Sequence, residues 1–310
     1  MRALAVGFFD GVHLGHRRLL ARADAALTFR NHPATVFAPD RAPALLMTPS
    51  TRLAAIRAAL GGADTAEASV RALDFTAELA AQPPSEFAAW LRMAYPALDT
   101  ILCGANWTFG AGGAGDAAFL RARGFRVEVV PFAICGETPV SSTRIRAAVA
   151  SGDLDLAAAM LGRPWALEGE VFAGKGVGHT LGFPTLNVRP ATGLVRPPRG
   201  VYAVETAWGR GAANYGLAPT MGARAWAEPV LEVHLLEVPA ADLPPLRGRT
   251  VAVDPNVIPY GATVIVDGQR FIAEDCGGGI KGDEIDIFLE SHSETEELGV
   301  QYLDVKIVLD

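Results

Sequence analysis

The sequence predicts an α/β domain with a parallel sheet, then a small antiparallel barrel, then a short β-rich segment. Three successive textures lead to this reading. Short apolar runs alternate with helical patterns through the first 152 residues. Beyond Leu154, strands follow each other at short spacing with Gly and Pro between them. From Arg249 a third set of short strands begins, with a single helical stretch over 293–299.

In the first region, 3–7 (ALAVG) is a continuous apolar run that suits a buried parallel strand. A helix follows, with Leu19, Leu20 and Ala23 on one face. Strands are expected at 25–29, 69–74, 99–103 and 126–132, and helices at 52–60, 84–94, 117–123 and 142–150. Regular alternation of this kind gives a parallel sheet with right-handed crossovers. A short helix over 153–161 leads into strands 166–172, 200–207, 212–217 and 230–236, the spacing of a small antiparallel barrel. Pro239–Pro245 holds three prolines in seven residues and marks a connector. The last strands are expected at 250–253, 263–266, 270–274 and 304–309. The domain boundaries are set at 1–152, 153–245 and 246–310.

The chain has 310 residues, half of them hydrophobic, enough for well-buried cores without disulfides. Its net charge of −7, without runs of like charge, argues against a nucleic-acid partner and against a membrane surface. Cys103, Cys135 and Cys276 fit no zinc spacing and read as reduced thiols. With no apolar run of spanning or signal length, the expected location is the cytoplasm.

Gly7-Phe8-Phe9-Asp10-Gly11-Val12-His13-Leu14-Gly15-His16 joins the first strand to the first helix. Ligands of open α/β sheets bind at the carboxyl ends of strands, and a helix start offers N–H groups and partial positive charge to phosphate. His13 and His16 bracket Gly15, which lets the backbone approach a triphosphate; both imidazoles can donate to phosphoryl oxygens as charge develops. The plain alternative is a turn with two surface histidines; the strand–loop–helix context favours the phosphate site. Downstream, Val140-Ser141-Ser142-Thr143-Arg144-Ile145-Arg146 opens another helix. Its hydroxyls could be caps, but two arginines one turn inside fit a phosphate clamp facing the first loop.

HxGH paired with SSTxIR resembles the nucleotidylyltransferase superfamily. GFFDGVHLGH, FRNHP (29–33), LCGANWTFGAGGAGD (102–116) and VSSTRIR are similar to the adenylyltransferase module of the bacterial bifunctional riboflavin kinase/FAD synthetase family, over 1 to about 238. The resemblance implies ATP-dependent adenylylation of FMN, with Mg²⁺ as the metal and small molecules as the partners. It places Gly7, Gly11, Gly15, Ser142, Thr143 and Arg146 at ATP and flavin phosphates, and Asn106 near the transferred group. Phe8 stands where that family commonly has asparagine, and FRNHP where it has FxPHP.

The middle segment holds Gly174-Lys175-Gly176-Val177-Gly178-His179 and Leu181-Gly182-Phe183-Pro184-Thr185-Leu186-Asn187. By themselves these glycines read as barrel turns. With GVYAV, Asn214-Tyr215-Gly216, Pro219-Thr220 and Leu231-Glu232-Val233-His234, they resemble the flavokinase module of the same family. That implies riboflavin phosphorylation, with Gly174, Gly176 and Pro184 at ATP, Thr185 and Asn187 at Mg²⁺, and Glu232 as base for the ribityl 5′-hydroxyl. The family's last barrel strand and closing helix are not recognisable after Val238; LRGRTVAV (246–253) is a candidate for the missing strand.

The tail, TVAVDPNVIPYGATVIV, AEDCGGGIKGDEIDIF and GVQYLDVKIVL, resembles the 3D domain of cell-wall-active proteins, a partial double-psi barrel, with Asp254, Asp275 and Asp286 as its aspartates. Either these carboxylates converge, one of them protonated as an acid on peptidoglycan, or they anchor turns. With two truncated fragments side by side, the tail is expected to pack against the middle barrel and support its folding.

Overall fold

The computed structural model describes residues 3–61, 69–172, 185–216, 229–236, 250–259, 262–266, 269–275, 280–287 and 305–308. They divide into two compact units, Met1–Glu168 with Ala191–Pro198, and Gly169–Pro190 with Arg199–Asp310.

The first unit contains β1 (Ala3–Val6), α1 (Leu14–Leu20), β2 (Ala25–Phe29), α2 (Ala34–Phe37), α3 (Pro49–Ala59) and β3 (Ser69–Leu73). It continues with α4 (Ala77–Ala81), α5 (Pro84–Ala94), β4 (Thr100–Gly104), α6 (Ala117–Arg121), β5 (Arg126–Val130), the short β6 (Ile134–Cys135) and β7 (Thr138–Pro139), α7 (Ser142–Ser151) and α8 (Leu154–Leu161). The sheet order is β3-β2-β1-β4-β5, all parallel. Alternate residues of β1 serve opposite faces. Leu4 and Val6 pack with Leu27, Leu91, Ile101 and Leu120, whereas Ala5 packs with Leu20, Ile56 and Leu102. Burial on both faces is why the strand reads as an unbroken apolar run. Cys103 of β4 is fully buried in the first of these cores, and burial pushes its thiol up to about 11. The strand order reverses between β1 and β4, which opens a crevice at their carboxyl ends.

The expected boundary at 152/153 falls inside this unit. Helix α8 sends Ala157, Met160 and Leu161 into one core with Ile145, Val149 and Leu46. Helix α3 starts at Pro49, ahead of the expected 52, because Thr48 accepts from the Thr51 N–H as its cap and proline suits the first turn. Helices α2 and α4, a single turn or so each, have too few residues to show a period.

The second unit holds two sheets. β8 (Gly169–Phe172), β9 (Thr185–Pro190), β10 (Gly200–Thr206), β11 (Gly209–Gly216) and β12 (Val230–Leu235) form an antiparallel sheet in the order β10-β11-β12-β9-β8. β13 (Thr250–Val253), β14 (Thr263–Val266), β15 (Gln269–Asp275), β16 (Ile285–Ile287) and β17 (Val305–Val308) form another, β16-β13-β15-β14-β17. This sheet is mixed: β13 runs parallel to β15 and antiparallel to β16. Thr250–Val253 therefore do not supply a last strand to the middle sheet. They lie between β15 and β16, since all four side chains are buried and Val251 and Val253 pack with Ile258, Val264, Phe271 and Ala273 in a core of the tail's own. The expected helix at 293–299 and the boundary at 245/246 lie outside the described residues.

Candidate active site

The Gly7–His16 loop leaves the carboxyl end of β1 at the reversal point. Phe9 (φ 59°) and Val12 (φ 40°) are left-handed without being glycine, and Gly11 has φ 80°. Such residues cost about 1–3 kcal/mol each and persist where the surroundings over-determine them. Here the surroundings do so through the carbonyls. Phe8 O accepts from Thr28 Oγ1 (3.1 Å) and Arg52, Asp10 O from Ser142 Oγ (2.9 Å), and Gly11 O from Arg163 (2.8 Å). At Gly11 a side chain would also collide, since a Cβ there would lie 2.6 Å from Leu46 Cδ1.

His13 caps α1: its Nδ1 accepts from the His16 N–H at 3.3 Å. An accepting Nδ1 puts the proton of the neutral ring on Nε2, which leaves Nε2–H as a donor. Burial, with Arg163 nearby, drives the His13 pKa down to about 4. His16 stacks on it with ring centroids 3.5 Å apart, and burial first, then His13, holds its pKa well below the ordinary value. Its Nδ1 is buried without a hydrogen-bond partner. Both rings are thus neutral donors at pH 7. A Cβ on Gly15 would come within 3.2 Å of the His13 ring, so glycine is what allows the two histidines to face each other across this turn.

Helix α7 meets this loop from 132 to 136 positions away in sequence. Arg146 pairs with the nearly fully buried Asp10 at 2.7 Å and donates to Thr143 Oγ1 at 3.3 Å. Burial pushes the Asp10 carboxyl up, while the Leu46 N–H and Arg146 pull it back down. Arg144 does not belong to the clamp. It turns away and donates to the carbonyls of Thr138 and Pro139, because a helix places neighbouring residues on different faces.

Beside Gly7 the crevice widens into a cavity of about 360 Å³. Phe29, Phe37, Phe75, Phe87, Trp107 and Phe109 are among the residues that line it, and its floor includes Val6 and Leu27. Asn106 sits exposed in the turn after β4, with Oδ1 facing Gly104.

In the second unit the register assembles a separate polar row. Asn187 of β9 lies opposite Glu232 of β12, and Glu232 opposite Asn214 of β11. Thr185 and His234 are partners in the same register, and Thr185 Oγ1 is 3.0 Å from His234 Nδ1. Residues two apart on a strand share a face. These five therefore stand on one face, while Leu186, Ala213, Val233 and Leu235 pack on the other. Gly174, Gly176, His179 and Pro184 lie outside the described residues.

In the tail, Asp275 and Asp286 are both register partners of Ala252, from opposite sides of β13, and Asp254 follows two residues on. Asp254 is engaged as a turn anchor. Its Oδ1 accepts from the Asn256 N–H and its Oδ2 from the Gly282 N–H, both at 3.0 Å. Those bonds, Gly282's first, hold its carboxyl below the usual range, which is opposite to what a protonated acid requires.

Arg52, Arg163 and His234 were not singled out from the sequence as site residues. The parallel sheet, the strained loop at its reversal point and the flanking aromatic cavity define a nucleotide-handling α/β domain. Residues 1–144 match the FAD synthetase family model, 161–256 the riboflavin kinase model and 249–309 the 3D domain model. The chain is similar to the bifunctional riboflavin kinase/FMN adenylyltransferase of Escherichia coli K12, 35% identical over 81% of this chain and 82% of that protein. Proteins of the same description from Pseudomonas fluorescens and Bacillus subtilis are 34% and 30% identical over 77% and 76% of this chain, and 79% and 78% of theirs. A crystal structure titled macrolide-efflux protein, from Streptococcus pneumoniae, superposes with a TM-score of 0.63 at 27% identity, covering 76% of this chain and 80% of that one. Among the described residues here, no helix is long and apolar enough to cross a membrane. The chain belongs to the bifunctional riboflavin kinase/FMN adenylyltransferase family.

Proposed function

We propose that this chain makes FAD from riboflavin in two ATP-dependent steps, one in each unit. The observation that carries the reading is the aromatic cavity opening directly beside Gly7, where a planar apolar ring system can lie with its phosphate turned toward the His13–His16 loop. In the first unit, an FMN phosphate oxygen attacks the α-phosphorus of ATP as the bond to the departing pyrophosphate breaks. His13, through Nε2–H, and His16 donate to the phosphoryl oxygens as their charge grows. The start of α7, with Ser142, Thr143 and Arg146, and the glycines at 7, 11 and 15 hold the phosphates. Asn106 orients the transferred group.

In the second unit, Glu232 takes the proton of the riboflavin 5′-hydroxyl as that oxygen attacks the γ-phosphorus of a second ATP. Gly174, Gly176 and Pro184 are assigned to that ATP. Magnesium, a hard cation, suits oxygen donors, and the hydroxyl of Thr185 and the amide oxygen of Asn187 share one face with Glu232. When bound, the ion neutralises phosphate charge; these two residues would hold it.

We assign 1–152 to the transferase, 153–245 to the kinase and 246–310 to a 3D-like domain whose mixed sheet fits a partial double-psi arrangement. A wall-active reading of that domain requires an available acid, and Asp254 is committed to its turn. The test is incubation of the purified chain with riboflavin, ATP and Mg²⁺, followed by chromatography. FMN and then FAD are expected; formation of neither overturns the reading.

A further inference from the structure

The first unit contains a cation that none of the assigned roles uses. Arg52 of α3 is fully buried, the largest side chain so placed among the described residues. Among the described residues no carboxylate lies within ion-pair distance of it. A guanidinium withdrawn from water without a counter-ion costs several kcal/mol unless its donors are satisfied. Arg52 makes three hydrogen bonds to backbone: Nη1 donates to Phe8 O (3.3 Å), and Nη2 to Phe29 O (2.5 Å) and Arg30 O (3.0 Å). Nε is left buried and unpartnered. The guanidinium lies over the Phe8 ring, 3.8 Å from its centroid, and His32 meets the same ring edge-on at 4.7 Å between centroids.

These partners are the two motif loops themselves. Phe8 leaves β1 toward His13 and His16; Phe29 and Arg30 leave β2 toward His32. Phe8 is also the residue that departs from the asparagine common in the family. Burial of so costly a group purely to fill space is poorly matched to its position, since an apolar side chain of similar volume would pack there without the desolvation cost. What an apolar side chain lacks is the fork that reaches three carbonyls of two loops at once.

We infer that Arg52, stacked on Phe8, is a positioning residue for adenylyl transfer, setting the first loop against the FRNHP loop so that acceptor phosphate and ATP meet in line. The inference rests on the transferase reading above. It is consistent with the strained backbone of the first loop, which needs external fastening. It also gives the site a fixed positive field, since Arg146 and Arg52 both depress the pKa of His32 after burial does so.

The test compares Arg52→Met, Arg52→Lys, Phe8→Leu and the Phe8→Leu/Arg52→Met double variant in the full chain. Each is assayed for FAD formation from FMN at a temperature where circular dichroism shows it folded, with riboflavin phosphorylation measured alongside. Arg52→Met is expected to lower kcat for FAD formation by about 10²-fold with a much smaller change in KM for ATP, the signature of misplacement of bound reactants. Arg52→Lys keeps the charge without the fork and is expected to recover only part. Phe8→Leu, which leaves the carbonyl contacts in place, covers the case in which Arg52→Met fails to fold, and is expected to lower kcat too. The double variant is expected to be no worse than Arg52→Met, because the two side chains act as a pair. Folded variants with wild-type kcat, full rescue by lysine, or losses that simply add overturn the inference while leaving the transferase assignment standing. A wild-type chain that phosphorylates riboflavin but never adenylylates FMN overturns both.

Discussion

The two candidate flavin sites solve the same problem, placing polar groups around phosphates, by different means. In the second unit the site is a strand face: Thr185 and Asn187 on one strand, Glu232 and His234 on the next, Asn214 on a third, all aligned by pairing register. In the first unit the site is a strained loop held by side chains that come from residues 28, 52, 142, 146 and 163. A strand face inherits its geometry from the sheet ladder, so its precision is local. A loop inherits none, so distant residues must supply it.

This contrast sets what each substitution should do. On the strand face, Glu232→Ala is expected to abolish riboflavin phosphorylation while FMN supplied to the variant is still converted to FAD, because a primary hydroxyl needs a positioned base. Retained phosphorylation would mean that the register row is structural only. In the loop, His16→Ala is expected to lower FAD formation from FMN by about 10²-fold, the scale of one lost transition-state donor, with phosphorylation untouched. An unchanged rate of FAD formation would remove the histidine pair from the mechanism.

The fastening of the loop should appear in stability as well. Asp10→Asn leaves Arg146, whose side chain is only 16% exposed, without its counter-ion. The expected cost is about 3 kcal/mol in urea unfolding of the first unit, since breaking a buried pair strands a charge. No equivalent loss is expected from a change on the strand face. A further effect concerns pH. The folded pKa of His13 is about 4, below its ordinary 6.5, so the unfolded chain binds more protons in that interval. Stability is therefore fully present above pH 6.5 and is lost as the pH falls toward 4, on the order of 3 kcal/mol for this group. Asp10, with its carboxyl raised, works in the opposite sense at the acid end of that window. His13→Gln should flatten the decline, measured as the difference in unfolding midpoint between pH 7 and pH 5; an equal decline in the variant would assign it to other groups.

The same contrast explains what could be read in the sequence. Strand-face residues recur at every second position, so TLN and EVH announce which side chains stand together once the strands are recognised. The parallel sheet was legible for a similar reason, because β1, β2 and β4 are apolar runs of the right length. The histidine loop and the start of α7 were legible as motifs, but their connection was legible only in part. Ser142 and Arg146 reach the loop, whereas Arg144, equally basic and two residues away, does not. Arg52 and Arg163 carry no local signal, since a single arginine in or after a helix has the same pattern whether it faces solvent or a carbonyl. The signal that could have found Arg52 is its place on the apolar face of α3, one turn before Ile56, together with the unusual Phe8. In the tail the strand and the 3D resemblance were legible, but the partner of TVAV was misjudged for a packing reason: it looks like a strand in search of a sheet, and only the tertiary fold shows that β15 and β16 take it.

Cys103 gives the first unit an internal clock. Alkylating agents react with the thiolate, and with the thiol pushed up to about 11 fewer than about one molecule in 10³ carries it at pH 7.5, behind closed packing. Its side chain is packed with Leu91 of α5 and Leu120 of α6 on one face of the sheet, so a reagent reaches the sulfur only when that core opens. The rate at which iodoacetamide marks the Cys103 peptide, followed by mass spectrometry and divided by the rate for a free thiol, then gives the fraction of molecules in which this core is open when reclosing is fast, and approaches the opening rate itself at high reagent concentration. It can be timed in the intact chain without any label being introduced.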